Sequence, residues 1–187
     1  MKPLPLALQL SQDWVEGFCA GIKIPELQEL LSWTDRQGNP IFQRVQLNFK
    51  IGRDKAPDIG QLENQMKKYP YLRFILSYND ANADLIWKIY QRRQVVFDCL
   101  FDESFGEGVA PSQRKPPVFG DVIQGYAGGL SPENVSSELE KIAELVPLDA
   151  VIFVDAEGKL KGEDGHFDYA KAREYVANAL ACPALQS

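Results

Sequence analysis

The sequence lacks most of the features that would place it in a specialised class of protein. Its three cysteines, Cys19, Cys99 and Cys182, show no paired spacing, which argues for free thiols in a reducing compartment and against a zinc site. No apolar run is long enough to cross a membrane, and the run over residues 4–10 is too short and too interrupted by proline for a signal peptide. No Gly-x-Gly-x-x-Gly motif lies near the N-terminus, which argues against a dinucleotide. We therefore expect a cytoplasmic chain that needs neither a metal ion nor a cofactor.

The chain also carries no strong excess of charge of either sign. Its 187 residues have a formal net charge of −6, and 45% of them are hydrophobic and 25% charged. That composition is ordinary for a globular protein, and the length is enough for one domain with a substantial core. Because nucleic-acid binding needs a basic surface, we expect no nucleic acid as a partner, and no membrane either. An anionic ligand would have to be held by backbone amides and a few local cations.

Segments with strand-like and helix-like hydrophobic patterns alternate along the chain. Strands are predicted over the ranges 6–10, 44–49, 72–78, 95–102, 121–124 and 149–155. Helices are predicted between them, with caps at Asp58, at Asn79-Asp80 and at Ser131, and with Pro132 at a first helical position. Strands that are apolar on both faces and alternate with helices are typical of a parallel sheet covered by helices. The pattern predicts an α/β fold, and both a closed barrel and an open sheet satisfy it.

A glycine pair, Gly128-Gly129, stands between the fifth predicted strand and the helix after it. Glycine allows backbone N–H groups to turn outward, and the positive end of the helix dipole favours an anion there. The pair can therefore hold a phosphate group without a lysine. The alternative is an ordinary glycine-rich turn between a strand and a helix.

Polar side chains stand at the ends of several predicted strands. Gln46 and Asn48 lie at the end of the second strand, Asp102 at the end of the fourth and Asp155 at the end of the last. In parallel α/β folds the chemistry gathers at these carboxyl ends. A partly desolvated carboxylate at such an end, here Asp102, is suited to act as a general acid. The alternative is that Asp102 braces the loop over residues 103–108.

Two further titratable residues are predicted to have structural roles. Asp98 lies four residues before Asp102, so strand alternation places both on one face, and a buried carboxylate there needs a partner that the sequence does not identify. His166 is the only histidine of the chain and precedes the last predicted helix. No nucleophile–base pairing is visible around it, so we expect a surface or capping role.

Several short motifs occur in the order expected of one enzyme family. They are Val45-Gln-Leu-Asn-Phe49, Phe101-Asp102 followed by Gly106 and Gly108, Gly128-Gly-Leu-Ser-Pro-Glu-Asn-Val135, and Val154-Asp-Ala-Glu-Gly158. Over its C-terminal two thirds, the chain resembles phosphoribosylanthranilate isomerase, a (β/α)₈ barrel enzyme of tryptophan biosynthesis. The Gly-Gly-Leu-x-Pro-Glu-Asn-Val run is the specific part of the resemblance, and the other motifs gain weight from their order.

The resemblance implies a fold and a set of site residues. The fold is a TIM-barrel-like (β/α) fold in one domain over residues 1–187, with an isomerase-like part over 45–180 and a divergent part over 1–44. Asp102 would be the general acid that protonates the ribose ring oxygen, and Asp155 would position a substrate hydroxyl. The residues implied to bind substrate or phosphate are Gln46, Asn48, Gly106, Gly108, Gly128, Gly129 and Gly158.

The sequence departs from the family pattern mainly in its first part. The family begins with a strand that carries Lys-x-Cys-Gly, whose cysteine is the general base, and this chain has no such motif, since Cys19 lies in a predicted helix. Asn48 stands where the family has a histidine, and the turn after Asp155 lacks the family's Ser-Ser-Gly. Only about forty residues precede Val45, roughly half of what three strand–helix units need at about 30 residues each. We therefore expect fewer than eight units.

These observations lead to one main functional hypothesis and two alternatives. The main hypothesis is an intramolecular aldose–ketose (Amadori-type) isomerisation of a phosphorylated sugar, with Asp102 as the acid and a base supplied by Glu103, Glu107 or Asp155. The first alternative is a non-catalytic descendant that keeps the phosphate site as a ligand-binding or interaction module. The second is an unrelated open α/β sheet that binds a phosphorylated cofactor. A barrel with open strand edges would need a partner chain, which leaves a homodimer open.

Overall fold

The computed structural model describes residues 6–49, 56–102 and 108–185. The chain divides into two compact units, Met1–Leu100 and Phe101–Ser187, and each unit is described by itself. Strands and helices alternate in both, with six strands in the described ranges. The predicted fold class is confirmed, because the described residues form a TIM-barrel-like α/β fold with parallel strand pairs and fewer than eight strand–helix units. The organisation as one domain over 1–187 stays a prediction.

The first unit is built from strands and helices that follow one another along the chain. Its elements are β1 (Leu6–Leu10), α1 (Gln12–Cys19), α2 (Pro25–Ser32), β2 (Phe42–Leu47), α3 (Ile59–Lys67), β3 (Arg73–Tyr78), α4 (Ala83–Arg92) and β4 (Phe97–Phe101), whose last residue begins the second unit. The strands lie in the order β1-β2-β3-β4, and β2 pairs in parallel with both β1 and β3. Parallel pairing is possible because each intervening helical segment returns the chain to the end of the sheet at which the preceding strand began.

Local sequence signals explain how two of these helices begin. Asp58 is the N-cap of α3, and its Oδ1 accepts the N–H of Gln61 at 2.8 Å, as predicted. Asn79 also accepts backbone N–H groups through its side chain, from the two residues at 81 and 82. These bonds close a turn before the helix, and α4 begins at Ala83 with Asn82 as its N-cap. The predicted cap at Asn79-Asp80 is therefore wrong.

Asp98, for which the sequence required an unidentified partner, is paired with Arg73. The carboxylate of Asp98 is fully buried in β4. Arg73 Nε donates to its Oδ1 at 2.7 Å, and Arg73 Nη2 lies 2.6 Å from the same oxygen. The side chain of Arg73 is 38% exposed, so the guanidinium stays partly hydrated while it balances the buried charge. This pair joins β3 to β4 and gives Asp98 a structural role.

The second unit repeats the alternation of strand and helix. Its elements within 108–185 are β5 (Gln124–Tyr126), α5 (Val135–Ala143), β6 (Ile152–Val154) and α6 (Tyr169–Leu180), with short 3₁₀ helices at Gly158–Leu160 and Pro183–Leu185. β5 and β6 pair in parallel. The side chains of Leu130, Val135, Leu139, Leu160, Tyr175 and Cys182 form a buried core cluster in this unit. Asp168 caps α6 by accepting the N–H groups of Ala170 and Lys171.

Strand β5 lies further along the chain than the sequence predicted. The predicted strand covered 121–124, whereas β5 covers Gln124–Tyr126. Tyr126 is fully buried, its ring lies 5.5 Å from that of Phe101 between centroids, and its hydroxyl donates to the carbonyl of Lys115 at 3.2 Å. Burial of the Tyr126 ring determines which residues form the strand. The short apolar pattern over 121–124 did not indicate that Tyr126 would be buried.

In the parts of the chain that the structure describes, no helix combines the length and the apolar character needed to cross a membrane. The longest helix in those parts, α6, has 12 residues. All three cysteines are buried and free.

Candidate functional site

Two carboxylates stand at the ends of strands in the second unit. Asp102 directly follows β4 and is buried, and Asp155 directly follows β6 and is half-buried. The N–H of Asp155 donates to the carbonyl of Tyr126 at 3.0 Å, beside the end of β5. Burial raises the pKa of Asp155 to about 6, and the negative charges of Glu157 and Asp102 act in the same direction. Asp155 therefore interacts electrostatically with Asp102 and titrates in the range where general acid–base groups operate.

The glycine turn, formed by Gly128 and Gly129, connects β5 to the segment that leads into α5. Gly128 has φ +84° and Gly129 has φ +66°, a left-handed backbone that residues with a side chain rarely adopt. A Cβ on Gly129 would also lie 2.7 Å from the Cα of Ala110, so no side chain fits there. Among the described residues, no acceptor is found for the N–H groups of the two glycines. The turn thus requires glycine at position 129 and presents backbone donors.

The side chain of Asn134 closes the segment between the glycine turn and α5. Its Nδ2 donates to the carbonyl of Gly129 at 2.9 Å, and its Oδ1 accepts the N–H of Ser131 at 2.8 Å. Asn134 is also the N-cap residue of α5, which begins at Val135. The predicted N-cap at Ser131 is therefore wrong. The Asn of the Gly-Gly-Leu-x-Pro-Glu-Asn-Val run has a physical role, since it fixes the shape of the turn.

Arg114 holds the glycine turn from its other side. Its Nη1 donates to the carbonyl of Ala127 and its Nη2 to the carbonyl of Gly128 at 3.0 Å. Its Nε donates to Glu138 Oε2 on α5 at 2.8 Å. Arg114 is only 7% exposed. The guanidinium therefore joins the loop before β5, the glycine turn and α5 into one structure.

A cavity of about 530 Å³ opens beside the glycine turn. Among the described residues, its lining consists of Gly108, Val109, Ala110, Gly129, Ser131, Glu133, Asn134, Lys159 and Lys171. A volume of this size is in the range of small-molecule sites. Backbone donors of the glycine turn together with two lysines form surroundings that suit an anionic group.

Glu133 brings a negative charge into the same cavity. The hydrogen bond from Ser131 lowers the pKa of Glu133, as do its own N–H and the positive charges of Lys171 and Lys159. Lys171 Nζ in turn donates to the carbonyl of Lys161 at 2.8 Å. Glu133 is thus ionised and offsets part of the lysine charge. The attraction for an anion then depends largely on the backbone donors of the glycine turn.

Tyr175 is a buried titratable group that the mechanism suggested by the sequence does not use. It is 7% exposed within the core cluster of the second unit, and its hydroxyl has no hydrogen-bond partner among the described residues. Burial raises the pKa of Tyr175, the charge of Asp155 raises it further, and the charge of Arg114 lowers it. Its hydroxyl therefore stays protonated and lies within electrostatic range of Asp155.

The structure places the other predicted glycines differently. Gly108 has φ +67° and lines the cavity together with Gly129, so these two predicted residues are brought to one place. Gly158 begins a 3₁₀ helix, and a Cβ there would meet nothing within 4 Å, so its position does not require glycine. Gly106 lies outside the described residues. The phosphate-binding roles of these glycines stay predictions.

Gln46 and Asn48 belong to the first unit. Gln46 is a buried residue of β2. Asn48 follows the end of β2, and its N–H donates to the carbonyl of Leu10 at 2.9 Å. Their predicted roles in substrate binding stay predictions.

The described ranges contain no metal site, and Cys19 does not supply a cysteine base. No group of three or more His, Cys, Asp or Glu side chains there is arranged to hold a metal ion. Cys19 lies at the end of α1, where burial and the charge of Glu16 raise the pKa of its thiol to about 12. A thiol with so high a pKa is unsuited to act as a base.

Sequence reasoning missed three residues of this region. Arg114 lies in a proline-containing loop, and its place behind the glycine turn depends on carbonyls 13 and 14 residues further along the chain. Lys171 and Tyr175 lie in α6, where a lysine on the first turn and a tyrosine on the apolar side look ordinary. No local pattern in the sequence distinguishes these side chains from surface or core residues.

The sequence matches no protein-family model and no curated protein. Two crystal structures of phosphoribosylanthranilate isomerase from Thermotoga maritima are similar to the chain. The first has a TM-score of 0.42 and 17% identity, covering 74% of this chain and 62% of that one. The second, of mutually generated monomers of the dimeric isomerase, has a TM-score of 0.31 and 13% identity, covering 95% of this chain and 100% of that one. The chain thus spans about 62% of the length of the first structure.

Proposed function

We propose that the second unit binds a phosphorylated small molecule of the sugar-phosphate type at the glycine turn. The observation that carries the proposal is the left-handed turn itself, which excludes a side chain at Gly129 and opens into a cavity. Backbone N–H groups recognise phosphate oxygens, and Lys159 and Lys171 add positive charge on the cavity wall. The cavity volume of about 530 Å³ also has room for a sugar.

Calorimetry with ribose 5-phosphate, ribose and inorganic phosphate tests this binding. We expect ribose 5-phosphate to bind and ribose not to bind. Lys159→Ala should weaken binding about threefold, because it removes a positive charge from the cavity wall that Glu133 only partly offsets, and Lys88→Ala, which removes an exposed lysine of α4, should leave binding unchanged. The proposal is contradicted if neither ribose 5-phosphate nor inorganic phosphate binds. It is also contradicted if Lys159→Ala and Lys88→Ala lose the same amount of affinity.

The proposal extends to an intramolecular aldose–ketose isomerisation carried out by Asp102 and Asp155. In this step Asp102 must carry a proton, which it gives to the ring oxygen as the sugar ring opens, and a base takes a proton from the carbon next to the anomeric carbon. Asp155 is suited to take that proton, because a carboxyl with a pKa of about 6 is largely ionised at neutral pH and still basic. One proton is given and one is taken, so the rearrangement is balanced without an oxidant.

Complementation of a tryptophan auxotroph that lacks phosphoribosylanthranilate isomerase tests the reaction itself. We expect growth with the unchanged chain, no growth with Asp102→Asn, and growth with Asp149→Asn, which alters an exposed aspartate before β6. Growth that survives Asp102→Asn removes Asp102 from the role of acid.

A specific observation favours the non-catalytic alternative. β1 consists of Leu-Ala-Leu-Gln-Leu, so it carries no ionisable side chain, and Cys19 has a pKa of about 12. Neither β1 nor Cys19 thus supplies a base of the kind that the cysteine of the isomerase family provides. Binding of ribose 5-phosphate combined with failure to complement the auxotroph would identify a ligand-binding module.

A further inference from the structure

Arg114 is the buried cation closest in sequence to the glycine turn, and its contacts are directed at the backbone. One guanidinium donates to the carbonyls of Ala127 and Gly128 and to the carboxylate of Glu138. The side chain of Arg114 is 5% exposed and that of Glu138 is 14% exposed. The planar fork of an arginine can bind two carbonyls and a carboxylate at once, which an ammonium group cannot do with the same geometry.

The contacts of Arg114 determine where the N–H groups of the glycine turn point. In a trans peptide the carbonyl and the following N–H point in opposite directions, and no cis peptide is found in the described residues. With the carbonyls of Ala127 and Gly128 bound to Arg114, the N–H groups of Gly128 and Gly129 must point away from it. Asn134 binds the carbonyl of Gly129 in the same manner, which directs the next N–H outward as well.

We infer that Arg114 is a positioning residue that sets the anion affinity of the glycine turn from behind, through the two peptide planes that it holds. This inference rests on the proposed phosphate binding at the same turn. Glu138 has the opposite effect, because its negative charge lies 2.8 Å from Arg114 Nε and weakens the field that the guanidinium would otherwise exert on a bound anion, while Lys141 Nζ shares the same carboxylate at 2.7 Å. Anion affinity is thus set mainly by the orientation of the N–H groups of the glycine turn. The charge of Arg114 contributes little as long as Glu138 is ionised beside it.

Three variants separate this role from a purely structural one, with inorganic phosphate and ribose 5-phosphate as probes in calorimetry. Arg114→Gln should weaken binding about tenfold or more, because the peptide planes are released, and Arg114→Lys should restore part of the loss. Glu138→Gln keeps an acceptor for Arg114 and removes the compensating charge. It should tighten binding about threefold at low ionic strength, and the gain should vanish in high salt. Arg173→Gln, which removes an exposed arginine of α6, is the control and should change nothing.

The outcomes distinguish this inference from the proposed function. If the unchanged protein binds neither probe, the proposed function fails and the inference fails with it. If it binds and folded Arg114→Gln binds equally well, phosphate binding stands and the role of Arg114 is refuted. Should the Arg114 variants fail to fold, Glu138→Gln decides, since a structural ion pair alone predicts weaker or unchanged binding and the inference predicts tighter binding.

Discussion

Replacing Asp155 by asparagine should stabilise the protein, and the gain should grow with pH. Burial raises the pKa of Asp155 from 3.8 to about 6, with smaller contributions from the charges of Glu157 and Asp102. The ionised carboxylate is therefore disfavoured in the folded state relative to the unfolded chain. Asparagine has nearly the same shape and cannot ionise, so the variant escapes this cost.

The magnitude follows from the size of the pKa shift. One pKa unit corresponds to about 1.4 kcal/mol, so full ionisation of Asp155 costs the folded state up to about 3 kcal/mol, and access of water to the half-buried carboxylate makes this an upper value. The cost is absent below pH 3.8, the unfolded pKa, grows between that value and about 6, and is complete above it. The gain in the free energy of unfolding should be at most about 0.5 kcal/mol near pH 4, about 1.5 kcal/mol near pH 5 and about 3 kcal/mol near pH 7.

Urea unfolding of both proteins across this pH range measures the gain directly. Any hydrogen bond that asparagine makes or loses adds a constant offset, so the dependence on pH carries the test. In a Glu157→Gln or Asp102→Asn background the rise should be smaller, because one of the charges that raises the pKa of Asp155 is absent, but it should persist, because burial is the largest cause. A difference between Asp155→Asn and the unchanged protein that is the same at both ends of the range refutes the reasoning.

Three further predictions concern stability. Gly129→Ala should lower the free energy of unfolding by more than about 2 kcal/mol in urea unfolding, because the new Cβ meets Ala110. Gly108→Ala is the control and should cost about 1 kcal/mol, because Gly108 has a similar φ but a Cβ there would meet no atom within 4 Å. Equal costs would contradict the close contact at Gly129. Arg73→Met should lower the free energy of unfolding by about 2 kcal/mol, because the carboxylate of Asp98 stays buried without its cation. The cost is smaller than for a fully buried pair, since the side chain of Arg73 is 38% exposed. An unchanged melting temperature in thermal unfolding would show that water replaces the guanidinium. Asp58→Ala should cost about 1 kcal/mol through loss of the cap of α3, measurable by circular dichroism during denaturation, with Asp58→Asn expected to recover most of it.

The alternation of strands and helices could be predicted because it depends on periodicity within single segments. The cap at Asp58 was predicted correctly for the same reason, since an aspartate side chain reaches an N–H group three residues away without tertiary help. The starts of α4 and α5 were wrong where several polar residues compete. Asn79 and Asn82 can each form a turn or a cap, and so can Ser131 and Asn134, so packing decided between them.

The candidate site was predictable only where its chemistry is local. The glycine turn has a characteristic sequence, and the left-handed conformations of Gly128 and Gly129 agree with the reason for which glycine was expected there. The sequence did not identify three residues of the site, because each is recognised only by its contacts with residues far away in the chain. These residues are Arg114, Lys171 and Tyr175. The pKa of Asp155 belongs to the same class, since it depends on burial by surrounding residues.

The sequence by itself determined the α/β class, the order of the strands along the chain and the place of the glycine turn, because side-chain periodicity and backbone freedom act over a few residues. Only the tertiary structure decided that Ala110 leaves no space for a side chain at Gly129, that Arg114 holds the carbonyls of the turn, and that Asp155 titrates near pH 6. Those features depend on contacts between segments far apart in the chain, and on the water that such contacts exclude.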